Sequence, residues 1–282
     1  MRLGIIGVAL LFVLLASPVG AQTTREIARQ IEAETGGRAG LAVLDMAGLP
    51  GPQWRADERF AMMSTFKPLA CAAYLDRESR AADIQAHRLS AGEIVTYSPI
   101  MQERIGREIS GAEACAAALR MSDNTAANIL LDMIDGPAGL TAFLRANGDE
   151  MTRLDRYETE LNTATPGDPR DTTTPAALLA SYQSLLLGEM VHPDARERVT
   201  GWMQQNQVSP RLLRLDAPPG WTIADRSGAG GYGSRAYIAL IEIDGRSPIL
   251  LTAFLTETEL TIAERDTHLR RLALAALAEL GI

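Results

Sequence analysis

The chain of 282 residues carries 27 lysine and arginine side chains against 35 aspartates and glutamates, a formal net charge of −8, with 46% hydrophobic residues. That balance fits a folded globular protein, and its acidity disfavours nucleic acid and anionic membranes as partners. His87, His192 and His268 stand apart with no H-E-x-x-H or His-x-His spacing, and zinc needs converging ligands, so no metal or other cofactor is expected.

Residues 1–21 read as a secretory signal. Arg2 precedes an uncharged apolar run from Leu3 to Ala16, then small residues, Ser17-Pro18-Val19-Gly20-Ala21, before a cut near Ala21. The run is too short for a comfortable membrane span, and no later one is longer. The expectation is an exported, periplasmic or secreted monomer with no membrane anchor in its mature form. Cleavage leaves 261 of the 282 residues and a charge of −9, since Arg2 departs and no acid does.

Residues 24–36 predict an amphipathic helix with Ile27, Ala28 and Ile31 on one side and Gly36-Gly37 at its end. Gly40 to Leu44 reads as a strand, Asp45 to Pro52 as a turn, and Gln53 to Arg59 as a second strand. From 61 to 195 apolar repeats at helical spacing dominate: Pro68–Leu75, Ala112–Arg120, Ala126–Ile134, Leu140–Ala146 and Pro175–Leu187. Strand patterns return at Trp221–Ala224, Ala236–Ile243 and Ile249–Leu255, and Thr261 to Leu280 closes as a helix. The fold class is therefore α+β. An antiparallel sheet with terminal helices is built from residues 22–60 plus 196–282, and an all-helical domain, 61–195, is inserted between. Cys71 and Cys115 survive export, where an oxidising compartment lets them pair; two buried free thiols are the alternative.

Four stretches carry chemistry. Ser64 opens the helical run with Lys67 three residues on, so hydroxyl and amine share a face beside the positive helix mouth. Alone, that serine reads as an ordinary cap. However, Lys67 is the single lysine of a chain with 26 arginines, and only lysine can shed its proton in a desolvated site. Ser122-Asp123-Asn124 lies between two helical segments, where serine or aspartate also caps helices. Arg226-Ser227-Gly228, before Ala229-Gly230-Gly231, sets a cation and a hydroxyl beside glycines that allow close backbone approach to an anion; a plain glycine-rich hairpin is the other reading. Residues 153–171 form a long stretch without helical periodicity, and loops of that length are usually functional; a merely mobile surface loop is the alternative.

Together S-x-x-K, S-D-N and R-S-G, in that order, resemble the motif set of class A serine β-lactamases and penicillin-binding proteins. Tyr97-Ser98-Pro99 and Glu158-x-x-Leu161-Asn162 extend the resemblance, as do Asp225, Ser234-Arg235 and the pair Arg156 and Asp171, which in that family pins the omega loop. The resemblance runs from about Arg25 to the C-terminus, and it implies a β-lactamase/transpeptidase-like fold. It implies that Ser64 attacks a lactam carbonyl and that Lys67, or Glu158 through a water, takes the proton. It implies that Ser122 relays a proton to the leaving nitrogen and that Glu158 with Asn162 activates the deacylating water. The backbone N–H groups of Ser64 and Ala229 would form the oxyanion hole. Asn124 and Tyr97 would line the substrate site, and Arg226, Ser227, Gly228 and Arg235 would surround its carboxylate.

Two departures bear on specificity. Arg226 stands where most of the family has lysine, which resembles carbenicillin-hydrolysing members and points to penicillins, including carboxypenicillins, with some cephalosporins. Thr159 follows Glu158 where many members have proline. No cysteine neighbours Ser64 or Gly230, so the disulfide that the resemblance associates with class A carbapenemases is absent and carbapenem turnover is not expected. The rival readings are a penicillin-binding D,D-peptidase, which Glu158 with Asn162 opposes, and a non-catalytic β-lactam sensor, which the missing membrane helix opposes.

Overall fold

The computed structural model describes residues 22–48, 50–80 and 84–282, so the expected signal segment lies outside the described residues. In chain order the elements are α1 (Thr24–Thr35), β1 (Arg38–Asp45), β2 (Pro50–Trp54), β3 (Phe60–Ala61), α2 (Lys67–Arg80), β4 (His87–Arg88), β5 (Glu108–Ile109), α3 (Gly111–Met121), α4 (Asn124–Asp132), α5 (Gly136–Ala146), β6 (Thr172–Thr173), α6 (Pro175–Leu186), α7 (Pro193–Gln204), β7 (Trp221–Ala229), β8 (Arg235–Ile243), β9 (Ile249–Thr256) and α8 (Ile262–Glu279). The class is α+β, as the sequence predicts.

Five strands form one antiparallel sheet in the order β2-β1-β9-β8-β7. The two ends of the chain meet in it: β1 pairs with β9 from Arg38 opposite Thr256 to Asp45 opposite Ile249. Both faces are covered, which explains why β9 is buried at every position rather than at alternate ones. Successive side chains enter two different cores. Leu250 and Phe254 of β9, with Ile238 and Leu240 of β8, join the core that includes α2 to α7. Leu251, Ala253 and Leu255, with Tyr237, Ala239 and Ile241, join the core under α1 and α8. Each fully buried Leu, Ile or Phe contributes about 1.5–3 kcal/mol.

Local signals set the helix ends. Thr23 and Glu26 make a capping box at α1, Gly36 ends it with φ +70°, and Thr261 and Glu264 repeat the box at α8. The second strand differs from expectation. It runs from Pro50 to Trp54, and the chain then turns at Arg55, whose φ is +43°, with the Glu58 N–H donating to Arg55 O. β2 is an edge strand, the position in a sheet where proline is tolerated. Helix α7 was not expected either. Its buried residues Ala195, Val199 and Met203 form a stripe one residue wide, and the intervening positions are mostly polar. The interval expected as all-helical ends at 195, inside this helix.

Two short contacts bring remote segments together. Phe60–Ala61 pairs with Thr172–Thr173, and the Met62 N–H donates to Asp171 O at 2.9 Å. The end of the 153–171 loop is thereby tied to the chain just before Ser64. Cys71 of α2 is joined to Cys115 of α3 by a disulfide.

Candidate active site

Ser64 lies in a single 3-10 turn, Met63–Phe66, that runs into α2, and the Lys67 N–H donates to Ser64 O. The turn is pressed against β7. A Cβ on Gly228 would lie 2.7 Å from the Ser64 nitrogen and 2.8 Å from Met63 Cβ, so glycine is required for this approach. Tyr97 and Ser122 on the cleft wall and Met63 beside Ser64 have positive φ (+64°, +59°, +50°), a conformation that non-glycine residues adopt only when their surroundings hold them.

Four side chains converge. Ser122 Oγ donates to Ser64 Oγ at 3.2 Å, and Ser64 Oγ donates to Glu158 Oε1 at 3.5 Å. Lys67 Nζ donates to Ser122 O (2.9 Å), Ser122 Oγ (3.2 Å) and Asn124 Oδ1 (2.6 Å), and it lies 3.0 Å from Glu158 Oε1. The ammonium thus meets the Ser64 hydroxyl through two relays, one by Ser122 and one by Glu158. Lys67 and Glu158 have no exposed side-chain surface. Burial pushes the Lys67 ammonium down to about 8 from the usual 10.5; Glu158 opposes the shift and the Arg226 guanidinium adds to it.

Glu158 is held from three sides. The Glu158 N–H donates to Asn128 Oδ1 at 2.9 Å, and Asn128 Nδ2 donates back to Glu158 O at 3.0 Å. Asn162 Nδ2 donates to Glu158 Oε2, which leaves Asn162 Oδ1 buried with no partner among the described residues. Arg156 Nε donates to Asp171 Oδ2 at 2.6 Å, and the Asp155 and Arg156 N–H groups donate to Asp171 Oδ1, closing the base of the loop. The Glu158–Thr159 peptide is cis. Across the cleft, Asp123 accepts the Ile100 and Met101 N–H groups and caps α4, fixing the Tyr97 segment to the Ser122 turn.

A cleft of about 320 Å³ opens over the cluster. Ser64, Tyr97, Ser122, Asn124, Asn162, Ser227, Gly228, Ala229 and Arg235 line it, together with Val208 and Ile262, which the sequence did not single out. Lys67, Glu158 and Arg226 stand behind its wall. Arg226 differs most from expectation: it is wholly buried, and its guanidinium donates to Ser64 O (3.3 Å), Leu119 O (3.5 Å) and Asn206 Oδ1 (3.4 Å). Its Nη2 has no partner among the described residues. Burial lowers it to about 10, which still leaves it charged near neutrality. Arg235 does reach the cleft, where Asp266 of α8 accepts from its Nε at 2.7 Å. Asp225, next to Arg226, is instead balanced by Arg214 at 2.9 Å. Arg226 is therefore a buried cation whose hydrogen-bond partners are all neutral oxygens.

Sequence reading missed Asn128, Asn206, Val208, Ile262 and Asp266. Asn128 had a faint signal, four residues after Asn124 and so on the same face of α4. The others come from elements whose closeness to Ser64 is set only by the fold.

Comparison with known proteins agrees with this geometry. Residues 22–280 match the model of the beta-lactamase enzyme family. The chromosome-encoded beta-lactamase of Vibrio parahaemolyticus is 41% identical, with a TM-score of 0.88 over 92% of this chain and 99% of that one. A mutant of the class A beta-lactamase of the last common ancestor of Gram-negative bacteria is 42% identical, with a TM-score of 0.86 over 90% and 98%. The unmutated ancestral class A enzyme is 43% identical, with a TM-score of 0.85 over 90% and 99%. The chain belongs to the beta-lactamase enzyme family, and within it to class A.

Proposed function

We propose that the protein hydrolyses the β-lactam amide of penicillins, including carboxypenicillins, and of some cephalosporins through an acyl-enzyme on Ser64. The observation that carries this reading is the buried chain of contacts joining Ser64 Oγ to Lys67 through Ser122 and through Glu158. Ser64 Oγ bonds to the lactam carbonyl carbon as its proton passes to Glu158, by way of a water, or towards Lys67. The N–H groups of Ser64 and Ala229 stabilise the oxyanion as it forms. The carbon–nitrogen bond breaks, and Ser122 delivers the proton that the nitrogen takes up. Glu158 then draws a proton from a water that attacks the ester, releasing the ring-opened acid and restoring Ser64.

Further features support the assignment. Asn162 Oδ1, an unpartnered acceptor beside Glu158 on the cleft wall, suits a water that also donates to the carboxylate. This favours hydrolysis over a penicillin-binding peptidase, whose acyl-enzyme persists. Asn124 and Tyr97 face a substrate side chain, and Asn124 is already oriented by Lys67 and by Thr96 O. Ser227 and Arg235 on the wall bind the substrate carboxylate directly, while Arg226 adds positive potential from behind it. Export to the periplasm or beyond fits the Cys71–Cys115 disulfide. Steady nitrocefin turnover is expected, and a single stoichiometric burst would favour a peptidase or sensor. Glu158→Ala should stall after acylation, leaving an adduct on Ser64 detectable by mass spectrometry; an unimpaired variant would remove Glu158 from the deacylation step.

A further inference from the structure

Asn206 lies just past the end of α7 and outside every motif. It is 6% exposed, and its amide is fully committed. Nδ2 donates to Asp225 Oδ1 at 2.8 Å and to Ser209 Oγ at 2.9 Å. Oδ1 accepts from the Val208 N–H at 3.0 Å and from Arg226 Nη1 at 3.4 Å. Two donors need acceptors on one side and one acceptor faces two donors on the other, so the amide fits in one orientation only. Ser209 Oγ in turn donates to Ser227 Oγ at 2.9 Å.

One side chain therefore contacts Val208 on the cleft wall and Arg226 behind it, and reaches Ser227 through Ser209. It is the only side chain that accepts a hydrogen bond from the Arg226 guanidinium among the described residues; the other two acceptors are main-chain carbonyls. It fixes Val208, which lines the cleft, by that residue's own N–H. Through Ser209 it sets the hydroxyl of Ser227, also on the wall. It is neutral as well, so Arg226 is oriented without its charge being cancelled. Arg214 pairs with the neighbouring Asp225, and among the described residues no carboxylate accepts a hydrogen bond from the Arg226 guanidinium.

We propose that Asn206 is a positioning residue for substrate carboxylate recognition, aligning Arg226, Ser227 and Val208 as a unit while adding no counter-charge to the buried guanidinium. This rests on the reading of that end of the cleft as the carboxylate site. It predicts that Asn206 matters for substrates that carry the carboxylate and not for those that lack it.

The test compares benzylpenicillin with its methyl ester on the full mature protein. The readout is the ratio of kcat/KM for acid over ester, with kcat and KM resolved for the acid. Asn206→Leu removes all four hydrogen bonds at similar volume. Asn206→Asp keeps an acceptor for Arg226 and Val208 but sets a carboxylate beside the guanidinium. In both, the acid/ester ratio should fall about tenfold, chiefly through a higher KM for the acid, with ester turnover near the wild-type value. Circular dichroism establishes that each variant is folded, and if Asn206→Leu does not fold, Asn206→Asp decides. A folded variant that loses activity equally on acid and ester, keeping more than a third of the wild-type ratio, would overturn the proposal. A wild-type enzyme that does not distinguish acid from ester would instead overturn the carboxylate reading itself.

Discussion

At Lys67, one amine does what none of the 26 arginines could. Burial holds its ammonium near 8, so a usable fraction is neutral close to physiological pH, whereas a guanidinium would stay protonated. Lys67→Arg should therefore lose most activity although it keeps the charge, and wild-type rates in that variant would sink the argument from the single lysine. The pH dependence follows with a definite sign. If Lys67 is the acylation base, the acylation rate rises with pH as the amine is deprotonated through about 8. Glu158 stabilises the ammonium by charge and by hydrogen bond, so its removal lowers the Lys67 pKa further. In Glu158→Gln, stopped-flow acylation should show its rising limb displaced to lower pH. A limb that stays in place or moves upward would assign the titration to another group.

Among the elements, the 153–171 loop and the α2–α3 pair carry the geometry. The loop has one 3-10 turn, Glu160–Asn162, and is held by Asp171 at its base and Asn128 at Glu158. Arg156→Ala leaves Asp171, with 1% of its side chain exposed, without its cation. The expected loss is about 3 kcal/mol of stability together with slowed deacylation. Urea unfolding and single-turnover kinetics measure the two, and normal deacylation would show that Asn128 alone suffices. The Cys71–Cys115 bond joins the helix that bears Lys67 to the helix that ends at Ser122, closing a sequence separation of 44 residues. Loop entropy assigns it up to about 4 kcal/mol. The double substitution Cys71→Ala and Cys115→Ala should lower Tm by roughly 10 °C, and calorimetry showing no change would mean that core packing alone holds the two helices.

Over the whole molecule, the proposed catalysis depends on a junction. Ser64 and Lys67 begin α2, Ser122 sits between α3 and α4, Glu158 comes from the long loop, and Ser227 and Arg235 come from the sheet. Substrate range belongs to this scale. Measured kcat/KM should rank a penicillin and a carboxypenicillin above a cephalosporin, with a carbapenem lowest, and efficient carbapenem turnover would refute the argument from the absence of a carbapenemase-type disulfide beside Ser64.

The motifs around Ser64, Ser122, Glu158 and Arg226 were legible in the chain only as a set, through the resemblance to class A serine β-lactamases, because each alone reads as a cap, a hairpin or a loop. Most helices and the three C-terminal strands were legible too, since their apolar periods are strong. Helix α7 and the end of β2 were not, because a stripe one residue wide and a turn at Arg55 leave little local trace. Only the tertiary structure decided that Arg226 lies behind the cleft wall while Arg235 reaches it, and that Asn128 and Asn206 support the site. Those outcomes depend on how remote backbones pack, through the tie from Met62 to Asp171 and the press of β7 on the Ser64 turn, and no spacing along a chain encodes such contacts.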